Sequence, residues 1–142
     1  STWDVLHTLT EKIKNENDQP LFIREFVLII QKICKNLPCG YCSKHSLIYF
    51  QRNERKIKKI DTKEGLKMFL FDFHNEVNKR TKKSLFKKEN LEIYSDKNTL
   101  QVFTTFHSRW SSSTSGMLNY TKRQQLAIFH NWLIKHRDKF NM

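Results

Sequence analysis

One segment sets the predicted fold: Leu37-Pro38-Cys39-Gly40-Tyr41-Cys42-Ser43-Lys44-His45. Pro38 cannot continue the apolar helical pattern before it, so we expect one helix to end there and another to begin at the cysteine pair. Two cysteines separated by two residues can alternate between thiols and a disulfide. At a helix N-terminus the dipole also stabilises a thiolate. The segment therefore predicts thiol redox chemistry, with Cys39 the cysteine more open to attack from solvent.

Apolar residues recur at helical spacing on both sides of this segment. The expected elements are helices over about 3–13, 21–37, 39–53, 62–81 and 87–94, with a basic loop over 52–59. Asp61 or Thr62 is the expected cap of the fourth helix. We therefore predict an all-α fold, a four-helix bundle plus a short fifth helix, with an extra amphipathic helix at the C-terminal end.

The residues after the fifth helix form a second part of the chain. Strand signals there are weak, and Leu100 to Phe106 favours irregular or helical structure. The serine-rich stretch 111–116 is typical of a flexible connector. Thr121 with Gln124 resembles a capping box for a last helix over about 121–139. We predict a domain over 1–95 and a C-terminal extension over 96–142, whose helix buries its apolar face against its own domain or a second subunit.

Composition narrows the class of protein. At 142 residues the chain is long enough to bury a core without disulfide staples. Lys and Arg number 26 against 14 acidic residues, so the net charge of +12 attracts phosphates, nucleic acid or acidic membrane surfaces. No apolar run approaches the roughly 20 residues that a membrane span needs. The third cysteine, Cys34, lies on an apolar helix stripe, where a buried, inert thiol is the expected state.

Two other interpretations of the cysteine pair stay open from the residues alone. A zinc site would use Cys39, Cys42 and His45, but the sequence offers no second cysteine pair to complete it, so we assign no metal. A strongly basic helical domain could instead bind nucleic acid, with the pair in a structural role. A thioredoxin-like fold is disfavoured, because the sequence is helical on both sides of the motif.

The fourth helix carries a polar stripe next to its apolar one. His74, Asn78 and Lys82 are spaced four residues apart and share one face. Such a strip could bind a flat, partly apolar ligand, and nearby cations could bind a diphosphate: Lys79, Arg80, Lys82 and Lys83. A solvated helix face with one hydrogen-bonded histidine is the simpler alternative.

Three separated motifs together resemble the Erv/ALR family of FAD-linked sulfhydryl oxidases. They are Trp3-x-x-Leu6-His7, then Leu37-Pro38-Cys39-x-x-Cys42-x-x-His45, then His74-Asn75-x-Val77-Asn78 with Lys83 and Phe86 following. Their order and spacing agree from residue 3 to about 95. The chain departs from the family at Phe69, where a tryptophan is common, and it lacks the second cysteine pair of many cellular members. The alignment of a later family tryptophan with Tyr94 is left open.

The resemblance implies a set of site residues. Cys42 would be the cysteine next to the flavin, and Cys39 the one that exchanges with substrate. The residues assigned to FAD are Trp3, His7, Cys42, His45, His74, Asn75, Val77, Asn78, Lys79, Lys82, Lys83 and Phe86.

The resemblance also implies an activity and its partners. The protein would form disulfides in a dithiol protein, thioredoxin-like or a virion protein, and pass the electrons through FAD to molecular oxygen, giving hydrogen peroxide. The family usually forms homodimers through its first two helices. The compact form without a shuttle pair resembles versions encoded by large DNA viruses. We therefore expect a cytoplasmic, viral-factory or virion location for a viral protein, and the mitochondrial intermembrane space for a cellular one.

Overall fold

The computed structural model describes residues 1–116 and 119–142, and within them the chain is helical, with one isolated β-bridge between Ile13 and Phe140. The α-helices are α1 (Thr2–Lys12), α2 (Pro20–Lys35), α3 (Gly40–Arg52), α4 (Glu54–Lys58), α5 (Lys63–Arg80), α6 (Thr99–Ser113) and α7 (Tyr120–Lys135). The 3₁₀ segments in these two ranges are Asn15–Asn17, Lys88–Asp96 and Arg137–Lys139. The prediction of an all-α fold is confirmed.

The helices begin where the sequence provides capping groups. Ser1 accepts a hydrogen bond from the Asp4 N–H, and the Asp4 side chain binds back to the Ser1 backbone, which makes a capping box for α1. The Thr62 hydroxyl accepts from the Gly65 N–H at 3.0 Å and starts α5. At α3 the cap is a cysteine, because the Cys39 Sγ accepts from the Cys42 N–H at 3.2 Å. The redox pair thus forms the first turn of α3.

The core is formed where α1, α2, α3 and α5 pack together. Their inward positions follow the predicted helical spacing, and burying them supplies the main stabilisation of the fold. The largest fully buried aliphatic side chains on these helices are Leu6, Leu9, Ile23, Ile30, Ile33, Leu66 and Leu70. Cys34 is only 2% exposed, which confirms the expectation that it is buried.

The basic loop predicted over 52–59 is wrong, because Glu54–Lys58 forms the one-turn helix α4. Ile57 of this turn is buried and anchors it to the core. Lys58 and Glu54 pair at 3.0 Å across the turn. The charges that favoured a loop therefore lie on the solvent side of a short amphipathic helix. The fifth element is a 3₁₀ segment rather than an α-helix, and it extends to Asp96.

The predicted connector over 111–116 is wrong in its first half, because α6 continues through Ser113. Buried aromatic side chains at 103, 106 and 110 hold that helix against the core, and this outweighs the weak preference of serine for helix. The capping box of Thr121 and Gln124 is also wrong. Helix α7 begins one residue earlier, at Tyr120, and its N-cap, Asn119, makes no side-chain capping bond.

Helix α7 packs on α2 of the same chain. The ring of Trp132 stacks on Phe26, with centroids 5.1 Å apart, and its indole N–H donates to Glu25 Oε1 at 2.8 Å. Phe129 and Phe140 are fully buried in the same cluster. A single hydrophobic core therefore contains residues from both sides of the predicted boundary at 95. Within the residues described, none of the helices has both the length and the apolarity that crossing a membrane requires.

Candidate active site

The two cysteines of the first turn of α3 differ in exposure. Cys39 is exposed and Cys42 is half-buried. Hydrogen bonding from the Cys42 thiol and backbone lowers the pKa of Cys39, whereas burial, and then the neighbouring Cys39, raise the pKa of Cys42. In the reduced pair Cys39 is therefore the thiol that ionises more readily. Because it is also exposed, Cys39 is the sulfur that solvent-borne thiols or disulfides meet first.

A cavity of about 330 Å³ lies behind the pair. Its walls are mainly apolar and include Trp3, Leu6, Phe73 and Val77, with both cysteines of the pair at one side. Cys34 also lines it, but burial raises the pKa of this thiol to about 12, so it stays protonated and unreactive. Both sulfurs of the pair therefore border an apolar space of the size that flat ring systems occupy, and Cys42 is the more buried of the two.

An aromatic cluster adjoins this cavity and joins α1 to α5. His7 Nε2 and His74 Nδ1 are 3.0 Å apart, and the Trp3 ring lies parallel to that of His74 with centroids 4.2 Å apart. Phe86 stacks on His74 at 4.9 Å, and Tyr94 on His7 at 4.8 Å. Burial, followed by the charge of His74, lowers the pKa of His7 to about 3. Both imidazoles are therefore neutral at physiological pH, since burial and Lys83 also lower the pKa of His74.

The two asparagines of α5 hold the loop that follows the helix. Asn75 Nδ2 donates to the Phe86 carbonyl at 3.0 Å, and the Phe86 N–H donates to Asn75 Oδ1 at 2.6 Å. Asn78 Nδ2 donates to the Ser84 carbonyl at 3.2 Å. Their amides thus fix the position of Phe86 in the aromatic cluster. Direct contact of either asparagine with a cofactor stays a prediction.

A second, open groove of about 710 Å³ lies on the other side of α5. His45, Asn75 and Lys79 line it, together with acidic and basic side chains of α3, α4 and α5. Among the residues assigned to FAD, Trp3, Cys42, Val77 and Lys83 line the apolar cavity instead. Lys82 lies outside both linings; it is exposed and has a positive φ of 59°.

Arg80 is the residue that the two spaces share. Its guanidinium carbon lies 5.4 Å from the centre of the Tyr41 ring, and its charge opposes the burial that raises the pKa of Cys42. Its Nη1 is buried and has no hydrogen-bond partner among the described residues. A buried guanidinium nitrogen without a partner is costly unless a ligand satisfies it. Arg80 follows Val77 by three residues, so the sequence already indicates that the two side chains share one face of α5. In the structure both line the cavity that the cysteine pair also lines.

Comparison with known proteins gives the family. The model of the Erv1/Alr family matches residues 1–98. The chain belongs to the Erv1/Alr family. A relative named FAD-linked sulfhydryl oxidase, from African swine fever virus (isolate Tick/Malawi/Lil 20-1/1983), is 32% identical over 92 residues, which cover 62% of this chain and 75% of the relative. No solved structure matches the chain.

The Erv1/Alr match ends at Asn98, the N-cap of α6, so all of α6 and α7 lie beyond it. The match confirms the resemblance that the three motifs indicated. Tyr94, whose alignment the sequence left open, is buried in the aromatic cluster beside His7. In the described part of the chain, no group of three or more His, Cys, Asp or Glu side chains is arranged to hold a metal ion.

Proposed function

We propose that the protein is an FAD-dependent sulfhydryl oxidase that forms disulfides in protein substrates and passes the electrons to oxygen, giving hydrogen peroxide. The observation that carries the proposal is the placement of the cysteine pair between two environments. Both cysteines line an apolar cavity walled by Trp3, Phe73 and Val77, but Cys39 is exposed to solvent whereas Cys42 is half-buried. Membership of the Erv1/Alr family and a viral relative named as an FAD-linked sulfhydryl oxidase support it.

The residues present fit FAD. The apolar cavity suits a flat ring system, which Trp3 and Val77 would contact. Arg80, with its unpartnered nitrogen, lines both spaces, and Lys79 in the open groove and Lys83 in the apolar cavity add further cationic donors for a diphosphate. When bound, FAD would accept two electrons from the reduced cysteine pair and return them to oxygen.

The exchange chemistry follows from the two sulfurs. A substrate thiolate attacks the exposed Cys39 Sγ of the oxidised pair, forms a mixed disulfide and displaces Cys42 as a thiolate. A second substrate thiolate then attacks the substrate sulfur of the mixed disulfide and releases Cys39. Arg80 stabilises the displaced Cys42 thiolate, because its positive charge lowers the pKa of that sulfur. The substrate gains one disulfide, and the reduced pair holds two electrons.

The remaining expectations are part of the same proposal. The substrate is a dithiol protein, thioredoxin-like or a virion protein. The relative from a large DNA virus supports a viral protein located in the cytoplasm, the viral factory or the virion. The expected homodimer would use α1 and α2. Ile29, Ile30 and Ile33 are buried within the chain, so a partner would meet the outer side of α2, where Leu21 is 82% and Leu28 58% exposed.

The test is the colour and activity of the purified full-length protein. The proposal predicts a yellow protein that releases FAD on denaturation, consumes oxygen when a dithiol is added and forms hydrogen peroxide in equal amount. A colourless, inactive preparation that cannot be loaded with FAD would refute it. If such a preparation bound DNA with steep salt dependence, the nucleic-acid-binding alternative would be favoured; bound zinc would favour a zinc module.

A further inference from the structure

The loop before the redox pair has three consecutive carbonyls that accept hydrogen bonds. The Leu37 carbonyl accepts from the Ser43 hydroxyl at 2.9 Å, and the Cys39 carbonyl from the Ser43 N–H at 3.0 Å. Both bonds come from α3 itself. The carbonyl between them, that of Pro38, accepts from Lys122 Nζ at 3.2 Å. The backbone that carries Cys39 is therefore held partly by α7, which lies beyond the residues matched by the family.

Lys122 is itself anchored at the start of α7. Its carbonyl accepts from the indole N–H of Trp110 at 3.0 Å, and Trp110 is only 2% exposed. The next residue, Arg123, donates to the Thr114 carbonyl at 2.7 Å and also to that of Gly116. These hydrogen bonds hold the first turn of α7, from which the half-buried Lys122 side chain extends. Its ammonium group is a fixed charge at the redox loop.

The position of this charge matters because Cys39 is exposed and leaves as a thiolate when the substrate disulfide is released. Positive charge near a thiolate favours the ionised form. Lys122 lowers the pKa of Cys39 in this way, by less than the hydrogen bonds from Cys42 and from the Tyr41 backbone do. The other titratable or charged groups at the cysteines and the cavity they line are Tyr41, Cys42, Arg80, Lys83, the buried Cys34 and the amino group of Ser1. Lys122 is the one that the C-terminal extension contributes.

We propose that Lys122 is a positioning residue for Cys39, which holds the Pro38 carbonyl and places a positive charge at the loop that carries the exchange sulfur. The proposal rests on the proposed function for the role of Cys39 in exchange. It gives the C-terminal extension a part in the thiol chemistry, in addition to its packing on α2. Removing the charge should make the Cys39 thiol less acidic and less reactive near neutral pH.

The experiment measures alkylation of Cys39 by iodoacetamide across a pH series in the reduced full-length protein, with peptide mass spectrometry to assign the cysteine. Lys122→Met should shift the profile to higher pH and slow alkylation near neutral pH by about two- to fivefold. Lys122→Arg should restore most of the rate, since it keeps the charge and the donor. Lys135→Met, at an exposed position in the last turn of α7, is the matched control and should leave the profile unchanged.

Lys122→Gln provides a second neutral variant, and circular dichroism identifies the variants that fold. A wild-type pH profile in either folded neutral variant would overturn the proposal. So would an arginine variant that reacts as slowly as the methionine variant, because the effect would then come from packing rather than charge. If neither neutral variant folds, the pH profile of Lys122→Arg decides. A shift of that profile to higher pH would overturn the proposal, and a profile equal to that of the wild-type protein would support it. The assay needs no flavin, so its failure is separate from failure of the oxidase proposal.

Discussion

His7 on α1 and His74 on α5 face each other with Nε2 and Nδ1 3.0 Å apart, and neither ring carries a charge at neutral pH. Each neutral imidazole can donate through one nitrogen and accept through the other, so the pair forms one hydrogen bond only while at least one ring stays unprotonated. Protonating both rings would place two positive charges in contact.

We predict that this pair makes folding sensitive to acid. The pKa of His7 is lowered from 6.5 to about 3 in the folded protein, so the unfolded chain binds more protons between these values. Stability should therefore fall as pH drops from 6.5 towards 3, by at most about 4 kcal/mol from this residue. Urea unfolding at a series of pH values measures it. His7→Gln, which keeps a donor near the Nε2 position, should show a flatter profile; parallel profiles would contradict the assignment.

Arg80 should contribute to both cofactor binding and thiol reactivity. Arg80→Met removes the buried donor that the two spaces share, and we expect FAD to bind roughly tenfold more weakly. The pKa of Cys42 should rise further, so reduction of the flavin by dithiols should need higher pH. Arg80→Lys is the control, since it keeps the charge and should recover the pH profile better than the affinity. Unchanged affinity and profile in Arg80→Met would show that the guanidinium serves neither purpose.

Lys82 adopts a conformation that favours glycine. Its φ of 59° lies in the left-handed region, where a side chain costs on the order of 1 kcal/mol. Lys82→Gly should therefore raise the free energy of unfolding, by up to about 1 kcal/mol, in urea titrations. The same change at Lys79, inside α5, should lower it, because glycine is a poor helix former. Equal destabilisation by both changes would argue against strain at Lys82.

The C-terminal extension should be a structural part of the domain. Trp132→Ala removes a ring that stacks on Phe26 and a hydrogen bond to Glu25, and we expect a loss of about 3 kcal/mol or more in the free energy of unfolding. Ile134→Ala, on the same helix but 49% exposed, should change it by less than about 0.5 kcal/mol. Comparable effects of the two substitutions would indicate that α7 does not pack on α2 as described.

The helices of the bundle could be predicted from sequence because their burial follows a single period. Phe69, Phe73 and Leu66 recur on one side of α5, and Thr62 marks its start, as expected. The loop predicted from Arg52 to Lys59 is wrong because its many charged residues indicate an exposed loop, whereas the burial of a single residue, Ile57, suffices to fix a helical turn. The serines of 111–113 were misjudged for a related reason, since their local preference is overruled by Trp110.

The site residues could be predicted from sequence where the chemistry requires particular residue types. They were harder to predict where tertiary packing determines which side chains lie together. The cysteine pair, and His74 on its helix, were evident from spacing. The division of the assigned residues between an apolar cavity and a separate open groove depends on tertiary contacts, as does the sharing of Arg80 between the two. The bond from Lys122 to Pro38 joins residues 84 positions apart, and no local pattern indicates it.

The central claim is that Cys42 alone passes electrons to a bound flavin, and anaerobic reduction tests it most directly. Wild-type protein loaded with FAD should lose its yellow colour when mixed with a dithiol in the absence of oxygen. Cys34→Ala should behave as wild type, because that buried thiol is unreactive. Cys42→Ser should keep its flavin and its colour. Bleaching of Cys42→Ser at the wild-type rate would contradict the account.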